Sequence, residues 1–101
     1  MKNINSTERT AILAKALVVN TKKVGDMFYE DRADDYSKAN RDPENSITKA
    51  SNAAELAGRM LGVSVADASI ILNSNIKTLD ESETEYLDRI TEMVIARVNQ
   101  K

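Results

Sequence analysis

The sequence predicts an all-α protein, a compact bundle of four to five helices that contains a helix-turn-helix-like pair. Three observations lead there. Apolar residues recur at spacings near 3.6 through most of the chain, and strand-like alternation is absent. Only three Gly and one Pro occur, with no linker rich in either and no internal repeat. The run LGVSVADASIILN, residues 61–73, has the turn chemistry of two helices joined at a tight corner. With 101 residues, 42% of them hydrophobic, the chain is long enough to bury a core without staples, so residues 1–101 are read as a single helical domain.

The first helix is expected to start after Asn5 or Ser6, where Asn5 and Glu8 have the spacing of a capping box. Leu13, Leu17, Val24 and Phe28 then form an apolar stripe flanked by Ile12, Val18 and Met27. Residues 30–42 read either as a continuation, with Tyr29 and Tyr36 seven apart on one face, or as a solvated loop; Asp42-Pro43 ends whichever it is. The second helix begins at Pro43 with Asp42 as cap, or one turn later at Ser46, and runs to Leu61. Its inward face, Ile47, Ala50, Ala54, Ala57 and Leu61, is small in volume, and Gly58 inside it implies close approach of another helix.

Gly62 should end that helix in a left-handed conformation, Val63 should anchor the turn, and Ser64 should cap a third helix reaching about Leu72. Asn73-Ser74-Asn75 reads as a turn-rich connection. The last helix starts after Asp80 or Ser82 and runs close to the end of the chain. Its core stripe is Leu87, Ile90, Val94 and Val98, with Tyr86 and Met93 to one side and Ile95 to the other.

Residues 57–73 resemble the helix-turn-helix of the lac-repressor and Cro-like regulators, with Gly58, Gly62, Val63, Ala68 and Ile71 in the places of the small residue, the turn glycine and the apolar locks. The likeness covers about 17 residues and implies a fold element; a DNA-binding role depends on the outward face of the third helix. That face carries Val65, Ala66, Asp67, Ser69 and Ile70, without a cation between Arg59 and Lys77, where DNA readers present Arg, Lys, Asn or Gln.

Charge and composition narrow the function further. Fourteen Lys plus Arg against sixteen Asp plus Glu give a net charge of -2, so no whole-molecule field attracts nucleic acid or anionic membrane. The absence of Cys and His excludes disulfides, thiolate or imidazole metal sites and Ser-His or Cys-His nucleophile pairs. Glu30, Asp31, Asp34 and Asp35 lack the glycine and distal glutamate of a calcium loop. No catalytic residue, cofactor or metal site is assigned. The N-terminal MKNIN has no signal-peptide apolar stretch, and no apolar run nears the roughly 18 residues of a membrane span, which leads to a soluble cytoplasmic protein as the expectation.

The expected function is a non-enzymatic protein-protein interaction module, a small regulator or assembly subunit that binds another protein or itself. Tyr86, Met93, Tyr29, Val65 and Ile70 are its candidate partner-binding residues, and a homodimer through the first and last helices is one outcome. The alternative is a DNA-binding transcriptional regulator with a degenerate helix-turn-helix, its nucleic-acid contacts supplied by Lys15, Lys22 and Lys23.

Overall fold

The computed structural model describes residues 6–30 and 46–100; the side chains of 27–30 and 46 lie outside that description. Four α-helices and no strand are found among the described residues: α1 (Ser6–Glu30), α2 (Ser46–Leu61), α3 (Val65–Ser74) and α4 (Glu83–Asn99). The proposed Asn5 cap, the Asp42-Pro43 start of α2, Tyr36 and most of the 30–42 segment fall outside them. α1 is the longest element and the one on which α2, α3 and α4 all pack.

The buried line of α1 is Ala14, Leu17, Val18 and Thr21, at steps of three and four. This corrects the expected stripe, which shares only Leu17 with it: Leu13 and Val24 are half-buried. A stripe drawn through the large side chains overlooks that helices approach most closely where side chains are small. Ala14 is buried in one cluster with Ala54 and Ala57 of α2, and the bulk needed at that seam comes from Leu17 and Val18. On α2 the expected face holds, with Ile47, Ala50, Ala54 and Ala57 buried and Leu61 half-buried.

α2 turns into α3 as its residues dictate. Gly62 has φ 87°, a left-handed conformation costly for any residue with a Cβ. The Gly62 and Val63 amides both donate to the Gly58 carbonyl, at 2.8 and 3.1 Å, closing off the end of α2. Val63 is then driven inward, 1% exposed. Ser64 Oγ accepts from the Asp67 amide at 3.1 Å and caps α3. A Cβ at Gly58 would stand 2.6 Å from the Val63 carbonyl oxygen and 3.6 Å from Leu17 Cδ1. The close approach expected there is therefore made by the turn backbone first and by α1 second.

α3 runs two residues past the expected Leu72. Asn75 explains the extension, because its side-chain amide donates to the Ile71 carbonyl at 2.8 Å and its backbone N–H to that of Leu72. α4 begins at the second of its two expected starts, with Ser82 and Glu85 in a reciprocal capping box. Its buried residues are Tyr86, Ile90, Thr91 and Val94, while Leu87 and Val98 are half-buried. The stripe has again rotated, here toward Tyr86. A tyrosine is buried at little cost when its hydroxyl is bonded, and Tyr86 Oη donates to the Asn75 carbonyl at 2.7 Å, with that of Leu72 at 3.2 Å.

Two stability predictions follow from the core. Gly58→Ala adds up to about 1 kcal/mol of helix propensity but forces a methyl against a carbonyl that cannot move alone, so it should lower stability by about 1 to 3 kcal/mol net; a raised urea midpoint would show the turn to be looser. Thr21 Oγ1 is buried without a hydrogen-bond partner among the described residues. Thr21→Val, which keeps the shape and removes the orphaned hydroxyl, should raise stability by about 1 kcal/mol, and a fall in the thermal midpoint would contradict that account.

Candidate functional site

The connection between α3 and α4, residues 75–82, is anchored on α4 at two points. Tyr86 holds its start through the Asn75 carbonyl. Arg89, one turn on, holds the rest: Nε and Nη2 form a fork on the two Glu81 carboxylate oxygens at 2.8 and 2.9 Å, and Nη2 also donates to the Ile76 carbonyl at 3.2 Å. Glu81 in turn accepts the Thr78 amide at 3.1 Å, and the Glu81 amide donates to the Thr78 carbonyl at 3.3 Å. The guanidinium lies 5.4 Å from the Tyr86 ring centroid, so the two anchors support each other.

What this fixed connection displays is apolar. Ile76 is 82% exposed and Leu79 102%, more than any other large apolar side chain among the described residues. A single exposed apolar side chain is ordinary, but two on a connection tied down by six hydrogen bonds are held in water by the fold itself. Ile70 of α3, Leu56 and Met60 of α2 and Ile12 of α1 are also at least half exposed.

Of the partner residues assigned from sequence, Ile70 is on the surface, 62% exposed. Tyr86 belongs to the core, which corrects its assignment as a contact residue, and Val65 and Met93 are half-buried against that core. Tyr29 lies in the last turn of α1, and its side chain is outside the described residues. Of these residues, only Ile70 has a largely exposed side chain among the described residues. Ile76, Leu79 and Arg89 were not found by sequence reasoning. The apolar pair has no periodicity to mark it, and nothing in the sequence signals that Arg89 reaches back eight residues to Glu81.

The three lysines of the alternative reading do not form a free basic strip. Lys15 is paired with Asp88 of α4. Lys22 bridges Asp26 at 2.8 Å and Glu83 at 3.3 Å, and the hydrogen bond to Asp26, partly opposed by burial, raises its pKa. Lys23 is exposed and has no ion pair among the described residues. On α3, Asp67 faces Arg97 of α4 at 3.7 Å. No described helix is long and apolar enough to cross a membrane. No family model matches the chain, and no curated protein or solved structure matches it.

The Arg89 fork makes the connection sensitive to acid. It holds the Glu81 carboxyl down at about 2, against an ordinary 4.5. A carboxyl depressed in the folded state contributes stability that is fully present above 4.5 and is lost as the pH falls toward 2. Urea midpoints followed from about pH 6 down to about pH 2.5 should therefore decline less steeply below 4.5 in Glu81→Gln than in the wild type. Parallel curves would show that the fork does not persist in solution.

Proposed function

We propose that the protein is a non-enzymatic interaction module, a small regulator or assembly subunit that works by binding another protein. The observation that carries this reading is the pair Ile76 and Leu79, exposed on a connection whose backbone is already fixed by Tyr86 and Arg89. Apolar side chains carried on backbone that is already ordered spare a partner the cost of ordering that backbone, which makes such a tip an efficient anchor. In this reading α2 and α3 are a helix-turn-helix-like pair that serves as scaffold, with Gly62 and Ser64 supplying the corner.

The second reading is a DNA-binding transcriptional regulator with a degenerate helix-turn-helix. The left-handed Gly62 and the capped start of α3 favour it. The exposed positions in the first two turns of α3 weigh against it, since Ala66 and Ile70 offer no hydrogen bond to a base edge or phosphate. So does the engagement of Lys15 and Lys22 by carboxylates, because phosphate neutralisation supplies most non-specific affinity.

Leu79→Asp tests the first reading. The side chain buries nothing, so stability should stay within about 0.5 kcal/mol of wild type. The native partner, recovered from source cells with wild-type bait and then purified, should bind the variant at least ~10-fold more weakly by calorimetry. Equal recovery and equal affinity would remove the connection from the interface. Binding to duplex DNA at low salt, lost steeply as salt is raised, would favour the second reading instead.

A further inference from the structure

α1 carries a second apolar line beside its buried one. Ile12, exposed, and Ala16 and Val19, half-buried with Ala16 against the edge of the core, follow at steps of four and three, and the same register continues to Arg9 before them and Lys23 after. Alternating steps of three and four are the spacing by which one helix seats along another. Ile12 is 56% exposed, and with Ala11, Lys15, Ala16, Val19 and Asn20 it lines a shallow trough along the helix.

Beyond the trough, in the same register, stand two cations. Arg9 and Lys23 are exposed, make no ion pair among the described residues, and stand about 21 Å apart along the axis. Among the described residues no carboxylate pairs with either: Asp26 is held by Lys22, and Glu92 of α4 lies in a neighbouring cleft with Thr7 and Thr10. Glu8 is one residue, and so about 100°, round the helix from Arg9. Lys15, at the edge of the trough, is occupied by Asp88.

A second copy of this chain does not complement such a face. Paired antiparallel about Ala16, α1 would set Arg9 against the other copy's Lys23, twice by symmetry; paired in parallel, each cation would meet itself. Like charges across a helix pair disfavour both arrangements.

We infer that this face of α1 receives an amphipathic helix of another protein whose apolar stripe is bounded by carboxylates about 14 residues apart. The inference rests on the module reading and adds a second contact surface, distinct from the Ile76–Leu79 tip. Its partner is recognised by the match of one apolar stripe and two charges.

The test uses the full chain, labelled with 15N, and two synthetic 21-residue helical peptides. Both carry leucine at alternating steps of three and four; one has glutamate at the two flanking positions and the other lysine. The glutamate peptide should shift the amides of residues 11–20 saturably and bind at least ~10-fold more tightly than its lysine twin. Arg9→Glu with Lys23→Glu should reverse that preference. Ile12→Glu, at an exposed position and with an unchanged circular dichroism spectrum, should abolish binding of both peptides. Equal binding of the twins, no binding, or shifts confined to residues 75–82 would overturn the inference. So would a dimer, seen by light scattering, that Ile12→Glu dissolves, because the face would then belong to a second copy. Leu79→Asp should leave the titration unchanged, so failure of the Leu79 test with success here removes only the tip, and the converse removes only this helix face.

Discussion

The contact between Gly58 and the Val63 carbonyl sets the positions of three elements at once. Any side chain at residue 58 would enter the space of that oxygen, 2.6 Å from an ideal Cβ, and the space beyond it belongs to Leu17 of α1. With the glycine in place, the chain doubles back over the end of α2, the Gly58 carbonyl collects the amides of Gly62 and Val63, and Val63 drops into the core. Ser64 is then placed to cap α3, and α1 settles on the alanines of α2. Full burial of Leu17, Val18 and Val63, each worth about 1.5 to 3 kcal/mol, depends on that approach.

α4 is attached differently. Its apolar side, Ile90 and Val94, joins the same core, but its orientation is also fixed by polar groups of unequal value. The Lys15–Asp88 and Lys22–Glu83 pairs tie it to α1 at largely exposed positions, where an ion pair contributes at most about 1 kcal/mol. The Arg89 fork is of another kind: it is planar and bidentate, it shares its guanidinium with a backbone carbonyl, and its Glu81 side chain is only 13% exposed. Surface pairs of the first sort choose between arrangements of similar energy, whereas the fork determines the course of eight residues of backbone.

How far the sequence foretells this structure depends on which physics is local. Gly62, Ser64 and the Ser82–Glu85 box act within one turn of the chain, and all three were legible because turn and cap chemistry depends on neighbours in sequence. The apolar face of α2 was legible for the same reason. The face of α1 was read partly out of phase, and that of α4 held at Ile90 and Val94 but missed Tyr86 and Thr91, because burial of Ala14, Thr21 and Tyr86 is decided by what packs against them. Tyr86 is the clearest case: a flanking aromatic looks like spare surface until the Asn75 carbonyl that receives its hydroxyl is known. The Ile76–Leu79 tip was invisible for the converse reason, since the long-range fork that holds it leaves no periodicity behind.

The same distribution of contacts bears on what the surface is for. Four of the cations that a nucleic-acid binder would present, Lys15, Lys22, Arg89 and Arg97, are engaged within the fold. The large apolar side chains left outside are spread over α1, α2, α3 and the 75–82 connection. Leaving such groups in water confers no stability on the free protein. Their exposure on backbone that is already ordered lowers the entropic cost of association while adding nothing to folding. On the proposed reading, binding of another protein is the process in which that arrangement would have an energetic consequence.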